Sequence, residues 1–341
     1  MSGVSTGHST DKPPPLAARH PFVVRSLAAL VVLGFLLVGG IGTGRYVWTF
    51  WLYRGYAPPS RPVSVTLHTK AGQQKVAVRP GTVTQITVTS AALGGLRVPV
   101  LVYLPPGYGS QPGERYPVFY LLHGFPGAPA QFVDVGDVAT ISDTLVASER
   151  MGPMILVMPT GTTSFAYDSE WANTLRPHSN WENFVADDLV KAIDRRYSTI
   201  ANGRGRAIGG LSEGGYGALN ISFHHVGEFD FVEAWSPYYL ADKKPAMFGG
   251  RSSLLSYNSP LLDVTSVAKR LRGAHVAVWL YCGTHDYTTK GSVRFVAELS
   301  TFHIAHTFHI YPGHHNWSLW RTMMSTSLEV AYQHLSHATP A

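Results

Sequence analysis

Gly210-Leu211-Ser212-Glu213-Gly214-Gly215 fits the pattern G-x-S-x-G, and its flanks decide how the chain folds. Ahead of it, Arg206-Ala207-Ile208-Gly209 reads as a short strand. Behind it, Tyr216-Gly217-Ala218-Leu219-Asn220-Ile221-Ser222-Phe223 reads as the start of a buried helix. A serine on so sharp a strand-to-helix turn has a strained backbone. Small residues on both sides let strand and helix close up while the hydroxyl stays exposed at the sheet's edge. Ser212 is therefore the candidate nucleophile. The competing reading is a glycine-rich turn that merely contains a serine, and the rest of the chain decides between the two.

On either side of this turn the chain alternates short apolar runs with helical stretches. The runs are Val118-Phe119-Tyr120-Leu121-Leu122, Ile155-Leu156-Val157-Met158 and Val276-Ala277-Val278-Trp279-Leu280-Tyr281; the helical stretches include 184–196 and 292–302. Continuous apolar strands alternating with helices predict an α/β fold, a mainly parallel sheet covered on both faces. Two β-branched runs, 83–90 and 98–104, joined by Ala91-Ala92-Leu93-Gly94-Gly95-Leu96, predict an antiparallel pair ahead of it. Cys282, the one cysteine, follows Val278-Trp279-Leu280-Tyr281 and reads as a core residue of a buried strand.

A hydroxyl is a poor nucleophile at neutral pH, so Ser212 needs a histidine base, and the base needs an acid that fixes its tautomer. Asp286, in Gly283-Thr284-His285-Asp286, falls on a loop after a predicted strand, at the edge where groups collect in open α/β sheets. His315 follows another apolar strand, Thr307-Phe308-His309-Ile310-Tyr311, in Pro312-Gly313-His314-His315-Asn316-Trp317. The chain order is Ser, acid, His. Oxyanion donors are expected from the backbone amide of Glu213 and from the loop His123-Gly124-Phe125-Pro126-Gly127, where the amide of Phe125 is best placed and Pro126 has none to give. His123, Gly124 and Trp317 are the candidate substrate contacts, although Trp317 and Trp320 also read as packing for the His315 loop.

His285 and His314 are neighbouring alternatives to the base, and His315 is preferred. His224 and His225 read as surface residues at a helix end. Asp168 and Glu170 either line the cleft or cap a loop. The paired histidines lack H-E-x-x-H or comparable carboxylate spacing, so no metal and no cofactor is expected. The segment 236–272 is expected to lie over the site and shape an acyl pocket.

At 341 residues, 45% hydrophobic and only 14% charged, the chain can bury a large core, which excludes global disorder. The formal net charge of +6 comes without any run of Lys and Arg interleaved with aromatics, so a nucleic-acid partner is not expected. Residues 1–21 read as a disordered tail. Residues 22–44 read as an uncleaved transmembrane helix, with no charged residue from Ser26 to Gly44. Residues 45–62 form an aromatic interfacial segment, Tyr46 to Tyr53, and a Pro-rich linker; 63–338 form the globular domain. Positive charge flanks both ends of the apolar segment, so the expectation that the large domain lies outside the cytoplasm rests on the short tail ahead of that segment and the large domain after it.

Four motifs occur in a fixed order: Val100-Leu101-Val102-Tyr103-Leu104-Pro105-Pro106-Gly107-Tyr108; Tyr116-Pro117-Val118-Phe119-Tyr120-Leu121-Leu122-His123-Gly124; 210–219 around Ser212; and the H-x-W-x-x-W run His315 to Trp320. Together, over about 83–335, they resemble the putative esterase family of α/β-hydrolases. That family includes S-formylglutathione hydrolases, feruloyl esterase domains, enterochelin esterases and the antigen 85 type of mycolyltransferase. The resemblance implies an α/β-hydrolase fold and serine-dependent acyl chemistry on a small-molecule or lipid ester. It matches the family's base to His315 and its acid to Asp286. The mycolyltransferases carry an Asp-Gly-Leu-Arg type sequence where this chain has His123-Gly124-Phe125-Pro126. Hydrolysis is thus the first expectation, acyl transfer to an envelope sugar or lipid hydroxyl the second, and a silent envelope-binding module the third.

Overall fold

The computed structural model describes residues 62–69, 72–162, 168–241 and 245–338. The tail, the transmembrane segment and nearly all of the linker expected over 1–62 lie outside these residues. Among the described residues no helix is long and apolar enough to cross a membrane.

Eight strands form one sheet, in the order β10-β9-β8-β7-β5-β6-β4-β3. They are β3 (Thr82–Ser90), β4 (Leu96–Leu104), β5 (Val118–Leu122), β6 (Ile155–Pro159), β7 (Arg206–Leu211), β8 (Phe231–Trp235), β9 (Ala277–Gly283) and β10 (Ala305–Tyr311). A separate antiparallel pair, β1 (Ser64–Thr69) with β2 (Gly72–Ala77), precedes them. The sequence gives little sign of this pair, because β2 is built largely from exposed polar residues such as Gln73, Gln74 and Lys75. Strands β5 to β10 run parallel, and β4 pairs antiparallel with both β6 and β3.

The central strands are apolar throughout because both faces are covered: every residue of β5, β6, β7 and β8 is buried. The edge strand β10 instead has no fully buried residue. On one face Val118, Tyr120, Ile208, Val232 and Leu280 share a core with the helices Glu213–His224, Pro260–Gly273 and Thr289–Thr301 and with 181–196, which contains a π turn at Phe184–Leu189. The long helix Trp317–Ala338 packs on β8 and against the helix Val138–Ala147. Cys282 is buried in β9, and burial pushes its thiol pKa up.

The histidines read as a surface pair are not one. The His224 side chain is only 2% exposed; its Nδ1 lies 2.9 Å from Glu182 Oε2, and its ring stacks on Tyr257 at 3.7 Å. His225 Nε2 reaches Glu182 Oε1 at 3.1 Å. Burial raises the Glu182 pKa, but the contacts to His224 and His225 outweigh it and leave the carboxyl below its usual range. This cluster fixes the carboxyl end of the helix that begins at Ser212.

The segment 236–272 also departs from expectation. Its longest helix, Pro260–Gly273, packs on the helix Glu213–His224 rather than on the cleft, and Phe248 closes a small cluster with Ala172, Ala241 and Met247. An apolar helix face was available on the elbow helix, and the segment buried its own apolar residues there.

Candidate active site

Ser212 sits between β7 and the helix Glu213–His224 with φ 55° and ψ −116°, a conformation that costs a non-glycine residue about 1–3 kcal/mol. The turn is held from outside: the Ser212 amide donates to the Trp235 carbonyl at 2.7 Å, and the Tyr216 amide to the Ser212 carbonyl at 3.1 Å. Two glycines make it possible. A Cβ on Gly214 would lie 1.9 Å from the Leu122 carbonyl oxygen, and one on Gly210 would lie 2.2 Å from the same atom.

The acid arrives from the end of β9. The Asp286 amide donates to the Gly283 carbonyl at 3.1 Å, and Thr289 Oγ1 donates to that carbonyl at 2.8 Å, which winds the chain into a tight turn. The Thr288 amide and Oγ1 both donate to Asp286 Oδ1, at 2.9 and 2.8 Å. The base arrives after β10, where Asn316 Oδ1 accepts from the Ser318 amide at 3.1 Å and caps the helix Trp317–Ala338. Its neighbour His315 is thereby fixed in direction, with the Trp320 ring edge-on at 5.1 Å and Trp320 Nε1 donating to Ser236 Oγ at 3.2 Å.

The three groups meet. His315 Nε2 lies 2.9 Å from Ser212 Oγ, and His315 Nδ1 lies 3.0 and 3.1 Å from the two Asp286 oxygens. Burial works against ionising Asp286, but hydrogen bonds from His315, Ser236 and the Thr288 amide, with the charge of His315, outweigh it and hold the pKa below the ordinary carboxylate value. A carboxylate on Nδ1 fixes the Nδ1–H tautomer, so the Nε2 lone pair faces the serine hydroxyl. His314 and His285 stack on each other at 5.0 Å and make no such contact with Ser212.

The loop 123–127, expected to supply an oxyanion donor, runs close under the elbow: a Cβ on Gly124 would lie 2.8 Å from Leu211 Cδ1 and 3.2 Å from Ser212 Cβ. His123 is not on the cleft surface. It is 3% exposed; its Nδ1 is 2.9 Å from the Gly124 carbonyl, and the Gly161 amide donates to its Nε2 at 3.0 Å. Burial pushes its pKa down to about 4, so the ring is a neutral tie between two loops. Trp171 completes that tie. Its Nε1 donates to the His123 carbonyl at 3.0 Å, and its side chain occupies the space that a Cβ on Gly161 or Gly217 would fill.

A cleft of about 180 Å³ opens over Ser212, lined by Phe125, Asp168, Glu170, Ser212, Glu213, Tyr238 and Tyr287. Of the three expected substrate contacts, none lines it: His123 and Gly124 form its support, and Trp317, 5% exposed, packs edge-on against Phe132 and Trp320. For Trp317 the packing role, the other role its sequence position suggests, is the one the structure shows. Asp168 and Glu170 do line the cleft. Glu170 accepts from Tyr238 Oη, and the Tyr238 ring stacks on Tyr216 at 4.7 Å. Tyr238 is the one residue of 236–272 lining this cleft among those described. Tyr287 and Tyr238 are the residues the sequence reading missed; adjacency to Asp286 was the only signal for the first. A larger open groove, about 870 Å³, lies at the amino ends of the strands and contains neither Ser212 nor His315.

Parallel strands that deliver a strained serine, an acid and a histidine to one sheet edge define an α/β-hydrolase fold with a serine-centred site. The family model described as "Putative esterase" matches residues 90–329, and the chain belongs to that family. Among its relatives, the endo-1,4-beta-xylanase/feruloyl esterase of Xylanibacter ruminicola is 34% identical over 142 residues, covering 40% of this chain and 19% of that protein. Esterase Rv1288 of Mycobacterium tuberculosis is 37% identical over 130 residues, covering 38% of this chain and 27% of that protein. These matches thus span roughly a fifth to a quarter of the relatives' own lengths. A solved ferulic acid esterase superposes with a TM-score of 0.66 at 26% identity, covering 75% of this chain and all of that one. An S-formylglutathione hydrolase from Staphylococcus aureus shares the fold, with a TM-score of 0.62 at 15% identity over 74% of this chain and all of its own.

Proposed function

We propose that this protein is a serine carboxylic ester hydrolase that works through an acyl-enzyme. Ser212 Oγ attacks the ester carbonyl as its proton passes to His315 Nε2; Asp286 holds the Nδ1–H tautomer and stabilises the imidazolium. The amides of Phe125 and Glu213 receive the oxyanion, the second of them at the positive end of the helix Glu213–His224. The Ser212 Oγ–carbonyl bond forms, the carbonyl–alkoxy bond breaks, and His315 gives its proton to the leaving oxygen. Water then repeats the sequence on the acyl-enzyme and frees the acid.

One observation carries the reading, the 2.9 Å contact between Ser212 Oγ and His315 Nε2 with Asp286 on the far nitrogen. The ferulic acid esterase likeness makes aromatic acid esters the first natural substrates to try. We infer that residues 22–44 hold the domain at the membrane, on the strength of their apolar sequence, and that it lies outside the cytoplasm because a large domain follows them.

The test is turnover of p-nitrophenyl esters from acetate to palmitate, and of methyl ferulate, by wild type beside Ser212→Ala. Wild type is expected to be active on at least one ester and the variant inactive on all. An active, correctly folded Ser212→Ala protein would overturn the assignment.

A further inference from the structure

Tyr287 follows the acid and precedes the threonine that holds it, so its backbone is fixed by the turn around Asp286. Its side chain borders solvent: the residue is 68% exposed. The ring lies over the imidazole of His315, centroids 4.4 Å apart and planes at 38°, and its hydroxyl is 3.2 Å from His315 Nε2. Its hydrogen-bond partners among the described residues are His315 and Ser212.

This places two hydroxyls, Ser212 Oγ at 2.9 Å and Tyr287 Oη at 3.2 Å, on one nitrogen. With Nδ1–H committed to Asp286, neutral His315 has a single in-plane lone pair on Nε2, which takes one good hydrogen bond. In ester cleavage the same nitrogen must deliver its proton to the leaving oxygen, which departs from a carbon bonded to Ser212 Oγ. The leaving oxygen therefore has to come within hydrogen-bonding distance of Nε2 while lying beside Oγ. Tyr287 Oη already holds such a position.

We propose that Tyr287 is a specificity-determining cap: its hydroxyl occupies the leaving-group position on His315 and must be displaced, and its ring then forms the wall against which the leaving group rests. The proposal depends on the Ser212–His315–Asp286 reading. Displacement sacrifices a hydrogen bond for every ester. Only a leaving group with a flat face, a phenol or a sugar ring, offsets that loss by stacking on the freed tyrosine ring. Small alkyl leaving groups gain nothing in return. The cap thus selects esters by their alcohol portion, independently of the acid.

The experiment measures kcat/KM of the full-length protein for methyl butyrate and phenyl butyrate, in wild type, Tyr287→Phe, Tyr287→Ala and Ser212→Ala. Tyr287→Phe keeps the ring and removes the hydroxyl. It is expected to raise kcat/KM for the methyl ester about two- to tenfold, the worth of one hydrogen bond, and at least as much for the phenyl ester. Tyr287→Ala removes ring and hydroxyl together and is expected to lower the phenyl-to-methyl ratio about two- to tenfold, the worth of one aromatic contact. A fall in kcat/KM for both esters in Tyr287→Phe would make the hydroxyl a participant in the chemistry and overturn the cap. So would unchanged values in Tyr287→Phe, or an unchanged ratio in Tyr287→Ala. Activity in Ser212→Ala would instead remove the serine mechanism, and the cap with it. An inactive Ser212→Ala beside an unaltered Tyr287→Phe removes the cap alone.

Discussion

Asp286→Asn separates the geometry of the acid from its charge. Asp286 Oδ1 accepts from the Thr288 amide and Oγ1 at 2.9 and 2.8 Å. Both Thr288 groups donate to Oδ1, so an asparagine in the same place keeps its carbonyl oxygen there and puts its NH₂ where Oδ2 was, 3.1 Å from His315 Nδ1. Nδ1 then faces a donor beside one neutral acceptor already shared with Thr288, which shifts the ring proton toward Nε2. An Nε2–H imidazole presents no lone pair to Ser212 Oγ and cannot take its proton. The imidazolium would also lose the carboxylate 3.0 Å away. The two effects together are expected to lower kcat about 10³- to 10⁴-fold, about 4–5.5 kcal/mol in the barrier, with KM changed far less. The assay is steady-state turnover of a p-nitrophenyl ester between pH 6 and 9, with thermal unfolding to confirm the fold. The swap keeps size and packing, so Tm should move little. A variant retaining a tenth or more of wild-type kcat would refute the tautomer argument.

Gly124→Ala would place a methyl 3.1 Å from the Leu211 carbonyl oxygen and 3.2 Å from Ser212 Cβ, pushing the loop that carries the proposed Phe125 oxyanion donor away from the elbow. The expected result is a fall in kcat of about 10²-fold, the size of losing one oxyanion donor, read from the same ester assay. Glu233, fully buried on β8, has its pKa pushed up to about 8 by burial, against hydrogen bonds from Ser327 and the Trp235 indole. The folded state therefore holds this proton more tightly than the unfolded chain. The stabilisation is complete below the ordinary value near 4.5 and is lost as pH rises through about 8. Glu233→Gln should flatten the decline of Tm between pH 5.5 and 9 and raise Tm at the alkaline end; an unchanged slope would remove Glu233 as its source.

Much of the site was legible because its parts lie next to strong local signals. Ser212 sits in a glycine-rich turn, and Asp286 and His315 each follow an apolar run ending at the carboxyl edge of a strand. Where the reading failed, the deciding contact was distant in sequence. His224 looks like a polar residue at a helix end until Glu182 and Tyr257, from elsewhere in the chain, close over it. His123 and Trp317 look like cleft residues until Gly161 and Phe132 claim them. Tyr287 carries no signal beyond its place next to Asp286, since what makes it notable is a side-chain direction. The strand β2, polar and largely exposed, lacks the apolar run that marks the strands of the central sheet.

Ser212 and His315 are 103 residues apart, and His315 hangs from β10, an edge strand and the last along the chain among the described residues. A chain emerging from the ribosome carries Ser212 103 residues before His315, and Asp286 29 residues before it. Until β10 docks beside β9, Ser212 has no partner to take its proton. On the proposed mechanism, an enzyme assembled in this order stays inert until β10 is in place beside β9. Appearance of activity would therefore serve as a clock for completion of the sheet.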